Sequence, residues 1–304
     1  MDHAIVTGAT GFIGIHLVEE LLARGVYVTA LCRRGSRNLD RLPMGVSILY
    51  DMGDLPVADV FFHLAWEEAS GSGRGDAVLQ ANNVVLTLCA LRAAVHSKAR
   101  FVALGTVYEH LAPQILSSGR YSGSDYYILS KNNAHAMSSQ LAYQLGADYF
   151  WCRICHPIGR YIKPEQLMAY TVSNLLRGES PSFGPAETSY DIVAVEDIAH
   201  GLYLVGKYGT RREYYIGSGE PRILRDYLLR AREILGISTP IRIGVRPDDG
   251  LRFQKGWFSN ASINEDTGFV PRICFDKAVM NLKDWLMGTA ENSLRAGWSD
   301  KQKR

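Results

Sequence analysis

Thr7-Gly8-Ala9-Thr10-Gly11-Phe12-Ile13-Gly14 follows the apolar run Ala4-Ile5-Val6 and opens an amphipathic stretch over 15–24. The order is strand, glycine turn, helix. Gly8 can take a φ that a Cβ forbids, Gly11 lets backbone N–H groups approach a pyrophosphate, and Gly14 lets the helix lie tight on the strand. The phosphates then meet a helix N-terminus, where free N–H groups and the helix dipole favour negative charge; Thr10, Phe12 and Ile13 complete this contact surface. Three glycines alone are weak evidence. Their place between a strand and a helix, at the start of a long globular sequence, makes them a dinucleotide-binding signal.

Working outward, 26–31 reads as a second strand ending in Cys32-Arg33-Arg34-Gly35-Ser36-Arg37. This tip is where a dinucleotide-binding fold meets the adenosine ribose. An acidic residue there accepts from a 2′-hydroxyl; Arg33 and Arg34 offer forked donors to a 2′-phosphate. NADP(H) is therefore favoured, with NAD(H) the alternative, and a solvated basic loop is the competing structural reading. A third strand over 46–50 closes on Asp51 and Met52, placed for an adenine contact. A fourth, 59–65, is the near-continuous apolar run of a buried parallel strand. It leads through Leu64, Ala65 and Trp66 into Glu67-Glu68-Ala69-Ser70-Gly71-Ser72-Gly73-Arg74-Gly75, a loop expected over the ligand crevice. Glu68 and Arg74 are its polar groups for reaching a substrate.

Helices over 77–96 and 126–145 alternate with strands over 100–105 and 147–155. That rhythm predicts an α/β fold, a Rossmann-like doubly wound parallel sheet, with a smaller C-terminal substrate lobe. The expected division is a dinucleotide-binding domain over 1–160 with returning segments near 190–217, a substrate lobe from 161–189 and 218–290, and a tail over 291–304. Within the lobe, 160–164 reads as the crossing, 189–195 and 213–216 as strands, and 196–207, 224–235 and 275–287 as helices.

The 304 residues carry a formal charge of +2, with Lys and Arg scattered, so neither a nucleic-acid groove nor a membrane-surface patch is implied. No apolar run is read as a bilayer span and no signal-peptide pattern opens the sequence, so a cytoplasmic protein is expected. Five cysteines argue against a disulfide framework. Cys152 and Cys155 have redox or metal spacing but lie in an apparent strand, where positions three apart face opposite sides; buried inert thiols, and no metal, are expected.

Tyr127-Ile128-Leu129-Ser130-Lys131 puts a phenol and an ammonium four apart on one helix face. A free phenol has a pKa near ~10; a neighbouring Lys⁺ favours the phenolate, so Tyr127 becomes able to exchange a proton with a substrate oxygen. Thr106, ending the preceding strand, can hold the same oxygen. A Tyr and a Lys at this spacing are commonly a surface pair, but here they follow a strand-end Thr and an N-terminal glycine turn.

With these residues assembled, the sequence resembles the extended short-chain dehydrogenase/reductases, the branch of NAD(P)-dependent epimerases, dehydratases and reductases of nucleotide sugars. The resemblance runs through Thr7 to Gly14, His63-Leu64-Ala65, Asn83-Val84, Thr106, Tyr127, Lys131, Arg153 to Gly159, Tyr190 to Ile198, Tyr215 to Gly219 and Gly268 to Pro271. It implies catalytic Thr106, Tyr127 and Lys131, cofactor contacts at Asn83, Lys131 and the backbone at Pro157 and Ile158, a small nucleotide-sugar substrate, and a homodimer formed through the two long helices. Val107 and Tyr108 stand where family dehydratases carry an Asp-Glu pair, which argues against 4,6-dehydration. His156 replaces an Asn that contacts the substrate diphosphate, and Tyr190 an Arg. An unusual nucleotide, a keto-sugar, and a substrate that is not a nucleotide sugar all remain open; Tyr108 and His156 are the substrate residues these changes single out. The expected activity is reduction of a keto group in surface-polysaccharide precursor synthesis. A 4-epimerase with retained cofactor and a non-catalytic NADP-binding sensor are its rivals.

Overall fold

The computed structural model describes residues 1–119 and 122–301, with side chains described through Gly288. In chain order its elements are β1 (His3–Thr7), α1 (Phe12–Ala23), β2 (Tyr27–Leu31), β3 (Ser47–Leu49), β4 (Val60–His63), α2 (Ala77–His96), β5 (Arg100–Thr106), α3 (Ala112–Ser118), α4 (Asp125–Leu145), β6 (Tyr149–Ile154), β7 (His156–Ile158), α5 (Leu167–Leu176), β8 (Ser189–Tyr190), β9 (Ile192–Ala194), α6 (Val195–Tyr208), β10 (Glu213–Tyr215), β11 (Arg222–Ile223), α7 (Leu224–Ile234), α8 (Ala261–Thr267) and α9 (Phe275–Lys301).

Seven parallel strands form the central sheet in the order β10-β6-β5-β4-β1-β2-β3. The order reverses between β1 and β4, which opens a crevice at the strands' C-terminal ends. Alternate residues of the same strand feed opposite layers. Val6 and Phe62 pack with Leu17, Leu21, Ile198 and Leu202 of α1 and α6, whereas Ile5 and Phe61 pack with Leu91, Ala94, Ala134 and Ala142 of α2 and α4. Burial on both faces is why these strands read as unbroken apolar runs. A third cluster joins α5, α7 and α9 through Val172, Leu228 and Leu282, and reaches the cavity side chains Tyr108 and Tyr127.

Three expectations change. The stretch 189–195 is not one strand: β8 pairs antiparallel with β11, β9 pairs parallel with β7, and the chain breaks at Asp191. The buried Asp191 carboxylate accepts from the Tyr215 hydroxyl at 2.7 Å and from the Ser218 N–H at 3.0 Å, which fixes that break. The last helix continues past Met287 to Lys301, into the segment read as a tail. And α2, 20 residues long, is by length and composition apolar enough to cross a membrane, contrary to the sequence reading. Its Val84, Ala90, Leu91 and Ala94 are buried under the sheet layer, which accounts for part of that apolarity. The thiols behave as expected: Cys152 and Cys155 fall in different clusters, and burial pushes both up.

Candidate active site

The glycine turn supplies the floor of the crevice. Gly8 has φ +69°, and a Cβ on it would come 2.8 Å from the Ala65 nitrogen; a Cβ on Gly14 would come 2.0 Å from the Gly8 oxygen. Helix α1 starts at Gly11 without a capping side chain and without an acidic residue in its first turn. Its leading N–H groups therefore face the crevice with the positive end of the helix dipole, an arrangement that suits a pyrophosphate.

Above this floor is a cavity of about 420 Å³, walled by the turn, the 64–74 loop, the end of β5, α4, the β6–β7 junction and residues 163–167. Thr106, Tyr127 and Lys131 all line it, as do Glu68, Arg74, Tyr108 and His156. The phenol of Tyr127 is buried, which pushes its pKa up; the Arg74 charge and the Thr106 hydroxyl, as a hydrogen-bond partner, pull it back, while Glu109 raises it. Spacing on the helix led to Lys131 as the cation acting on this phenol. The structure corrects that. Lys131 donates to the Leu104 carbonyl at 2.8 Å and lies 3.8 Å from the centroid of the Trp66 ring, and burial pulls its pKa down to about 7 against the opposing Glu109 charge. The cation over the Tyr127 ring is Arg74, 4.1 Å from its centroid.

His156 stacks on Tyr190 at 4.6 Å and meets the Tyr108 hydroxyl at 3.2 Å. Burial first, and Arg74 second, hold its pKa near 3, so it faces the cavity as a neutral ring. Behind the cavity Glu109 is buried: it accepts from the Thr106 N–H at 2.7 Å, the Trp151 indole at 2.9 Å and Arg153 at 2.9 Å. That carboxylate fixes the end of β5, and with it the Thr106 hydroxyl.

Of the residues assigned to a cofactor, Gly8, Gly11, Phe12, Ile13, Gly14, Leu64, Trp66, Tyr127, Lys131 and Pro157 line the cavity. Others do not. Thr10 meets the Ser36 hydroxyl at 3.3 Å, Asp51 accepts from the Gly53 N–H at 2.8 Å, and Met52 packs against the α2 layer. Ala65 contributes backbone, its N–H on the Thr7 hydroxyl at 3.3 Å. Arg33 pairs with Glu67 at 2.8 Å, both exposed, and Arg34 lies over the Tyr50 ring at 5.3 Å. Two of the assigned residues are engaged elsewhere. Asn83 spends its amide on the Glu67 backbone, accepting from N–H at 2.8 Å and donating to the carbonyl at 3.0 Å, and so ties the loop to α2. Ile158 turns its side chain into the core while its backbone pairs with Ala194.

The sequence reading missed Leu104, Lys163, Glu165 and Gln166, which also wall the cavity. Glu165 accepts from the Ser70 hydroxyl at 3.1 Å, joining the crossing segment to the loop. Its only signal in sequence was a charged, proline-containing stretch where the chain leaves the sheet.

A family model of NAD dependent epimerases and dehydratases matches residues 4–217. The chain belongs to that family. Members are enzymes of the extended short-chain dehydrogenase/reductase type, and the seven-stranded sheet is their fold. One relative, from Synechocystis sp., is described as a dihydroflavonol 4-reductase and is 27% identical over 270 residues, covering 79% of this chain and 74% of its own. The UDP-glucose 4-epimerase of Thermotoga maritima, solved with UDP-glucose, superposes with a TM-score of 0.77 at 19% identity over 95% of this chain and 99% of that one. The dTDP-glucose 4,6-dehydratase of Streptomyces venezuelae, solved with NAD, gives 0.75 at 26% identity over 94% and 97%.

Proposed function

We propose that this family member is an NADP(H)-dependent reductase of a keto group on a nucleotide-activated sugar, acting in the cytoplasm in surface-polysaccharide precursor synthesis. One observation carries the reading: two hydroxyls, Thr106 and Tyr127, converge on the wall of a cavity whose floor is a glycine turn and an uncapped helix start. The glycine turn and the start of α1 would hold a dinucleotide, which when bound would supply a hydride to a carbonyl carbon. Tyr127 gives its phenolic proton to the carbonyl oxygen, and Thr106 holds that oxygen by a hydrogen bond. Lys131, fixed by Leu104, is placed to contact the cofactor. Substrate enters between the sheet and the 161–189 and 218–290 lobe, where Glu68, Arg74, Tyr108 and neutral His156 meet it.

Arg33 and Arg34 support NADP(H). Each is held only at the surface, Arg33 by the exposed Glu67, and an exposed ion pair is worth little, so a 2′-phosphate can replace it. The resemblance to 4-epimerase structures supports the second reading, in which the same groups oxidise and then reduce the sugar.

Single-turnover absorbance with reduced NADP or NAD and a panel of keto-sugar nucleotides tests this. The expected result is hydride transfer from NADPH, falling by about 10²-fold or more in Tyr127→Phe with cofactor binding retained. A tightly retained cofactor with sugar interconversion and no net absorbance change makes the protein an epimerase. Cofactor binding without turnover on any substrate makes it a sensor.

A further inference from the structure

Arg74 has a feature that the proposed reaction does not by itself explain. Its guanidinium carbon stands 4.1 Å from the centroid of the Tyr127 ring and 5.2 Å from that of Tyr108, and its Nε is buried with no hydrogen-bond partner. No carboxylate among the described residues lies within ion-pairing distance of it. A charge held that way, without an acid to neutralise it, projects its field on what it touches. The segment bearing it is fixed: Gln80 donates to the Gly73 carbonyl at 3.0 Å and to the Glu68 carbonyl at 3.3 Å, and accepts from the Trp66 indole at 2.9 Å.

We propose that Arg74, besides meeting the substrate, sets the acidity of Tyr127. The groups facing Tyr127 are Arg74 from the 3₁₀ turn Ser72–Gly75, Thr106, Tyr108 and Glu109 from the β5 end, Trp66 from the β4 loop at 6.1 Å, and Lys131 one helical turn on. Burial and Glu109 disfavour the phenolate, and Lys131 is committed to Leu104 and Trp66. Among the described residues, Arg74 is the unpaired cation in contact with the ring. When Tyr127 releases its proton to the substrate oxygen, the phenolate left behind lies against the guanidinium. A phenol brought closer to the working pH is the better proton donor, because both its protonation state and its driving force then favour transfer. The inference rests on Tyr127 being the proton donor.

The test is a titration of Tyr127 itself, by NMR of protein carrying ¹³Cζ-tyrosine, with the resonance assigned by its loss in Tyr127→Phe and followed with and without oxidised dinucleotide. Arg74→Met should move the Tyr127 titration upward by about one pH unit or more, and Arg74→Lys should recover part of that shift, since a cation is restored. In the reductive reaction the alkaline limb of the hydride-transfer profile should move the same way. An unmoved titration in Arg74→Met overturns the proposal. So does a shift that Arg74→Lys fails to recover, because the cause is then packing rather than charge. If Tyr127→Phe keeps full turnover while the titrations shift as stated, the reading of the reaction fails and the Arg74–Tyr127 coupling stands.

Discussion

Lys131 sits where an ammonium is hardest to keep charged: burial draws its pKa from the ordinary lysine range down to about 7, with Glu109 as the opposing influence. The consequence for stability has a definite sign. Between about pH 7 and the unperturbed value near ~10.4, the unfolded chain binds this proton and the folded chain does not, so this group alone makes stability rise with pH across that window. Lys131→Met should therefore lose the rise: the parent's denaturation midpoint should climb relative to the variant's from pH 7 towards pH 10. A difference that stays constant over the window means that Lys131 titrates as an exposed lysine. The presence of Tyr127 and Lys131 was legible from their spacing, because a helix places residues four apart on one face. What acts on them was not. Arg74 reaches Tyr127 from a loop with no periodicity, across more than fifty residues of chain, and nothing local in the sequence encodes that meeting.

Elements packed along their length on the sheet were read closely from sequence: α2 coincides with its expected bounds and α4 begins one residue early. Those fixed by single polar groups were not. The break at Asp191, which puts β8 and β9 in different sheets, depends on a carboxylate that gathers Tyr215 and Ser218 from a distant turn. The loop over the crevice belongs to the same class. The Gly- and Ser-rich composition of 66–75 reads as an open loop, yet Gln80 and Asn83 of α2 hold its backbone at four places and the Trp66 indole at a fifth. Asn83→Ala would remove the two hydrogen bonds that hold the Glu67 N–H and carbonyl, at a cost of about 0.5–1.5 kcal/mol each, and release the loop. Hydrogen exchange should then show protection lost over 66–75 while β4 and α2 keep theirs. Unchanged protection in the variant would leave Asn83 without a part in holding the loop.

At the scale of the whole molecule, α2 is apolar on more sides than one chain can cover. Its inner face lies under the sheet with Val84, Leu91 and Ala94, but Val78 and Val85 remain 71% and 58% exposed. On the adjoining α4, Met137 is 52% and Tyr143 72% exposed. Val78 and Val85, seven apart, lie on one face of α2, and exposed apolar residues on two neighbouring helices mark an association surface; a stable pair of copies needs roughly 800 Å² from each. We propose that a second copy of the chain covers this face, α2 and α4 of one protomer against those of its partner. The apolar length that lets α2 pass for a membrane span then has a cause in each direction, the sheet on one side and the partner on the other. Sedimentation of the parent protein at micromolar concentration should give twice the chain mass, and Val85→Glu combined with Met137→Glu should give the single chain, because two carboxylates would be desolvated in the contact. The glycine turn and the buried Tyr127 and Lys131 that wall the cavity are not among the residues exposed on this face, so the separated protomers should still bind cofactor. A parent that sediments as a single chain removes the dimer and leaves the α2 stripe to another partner.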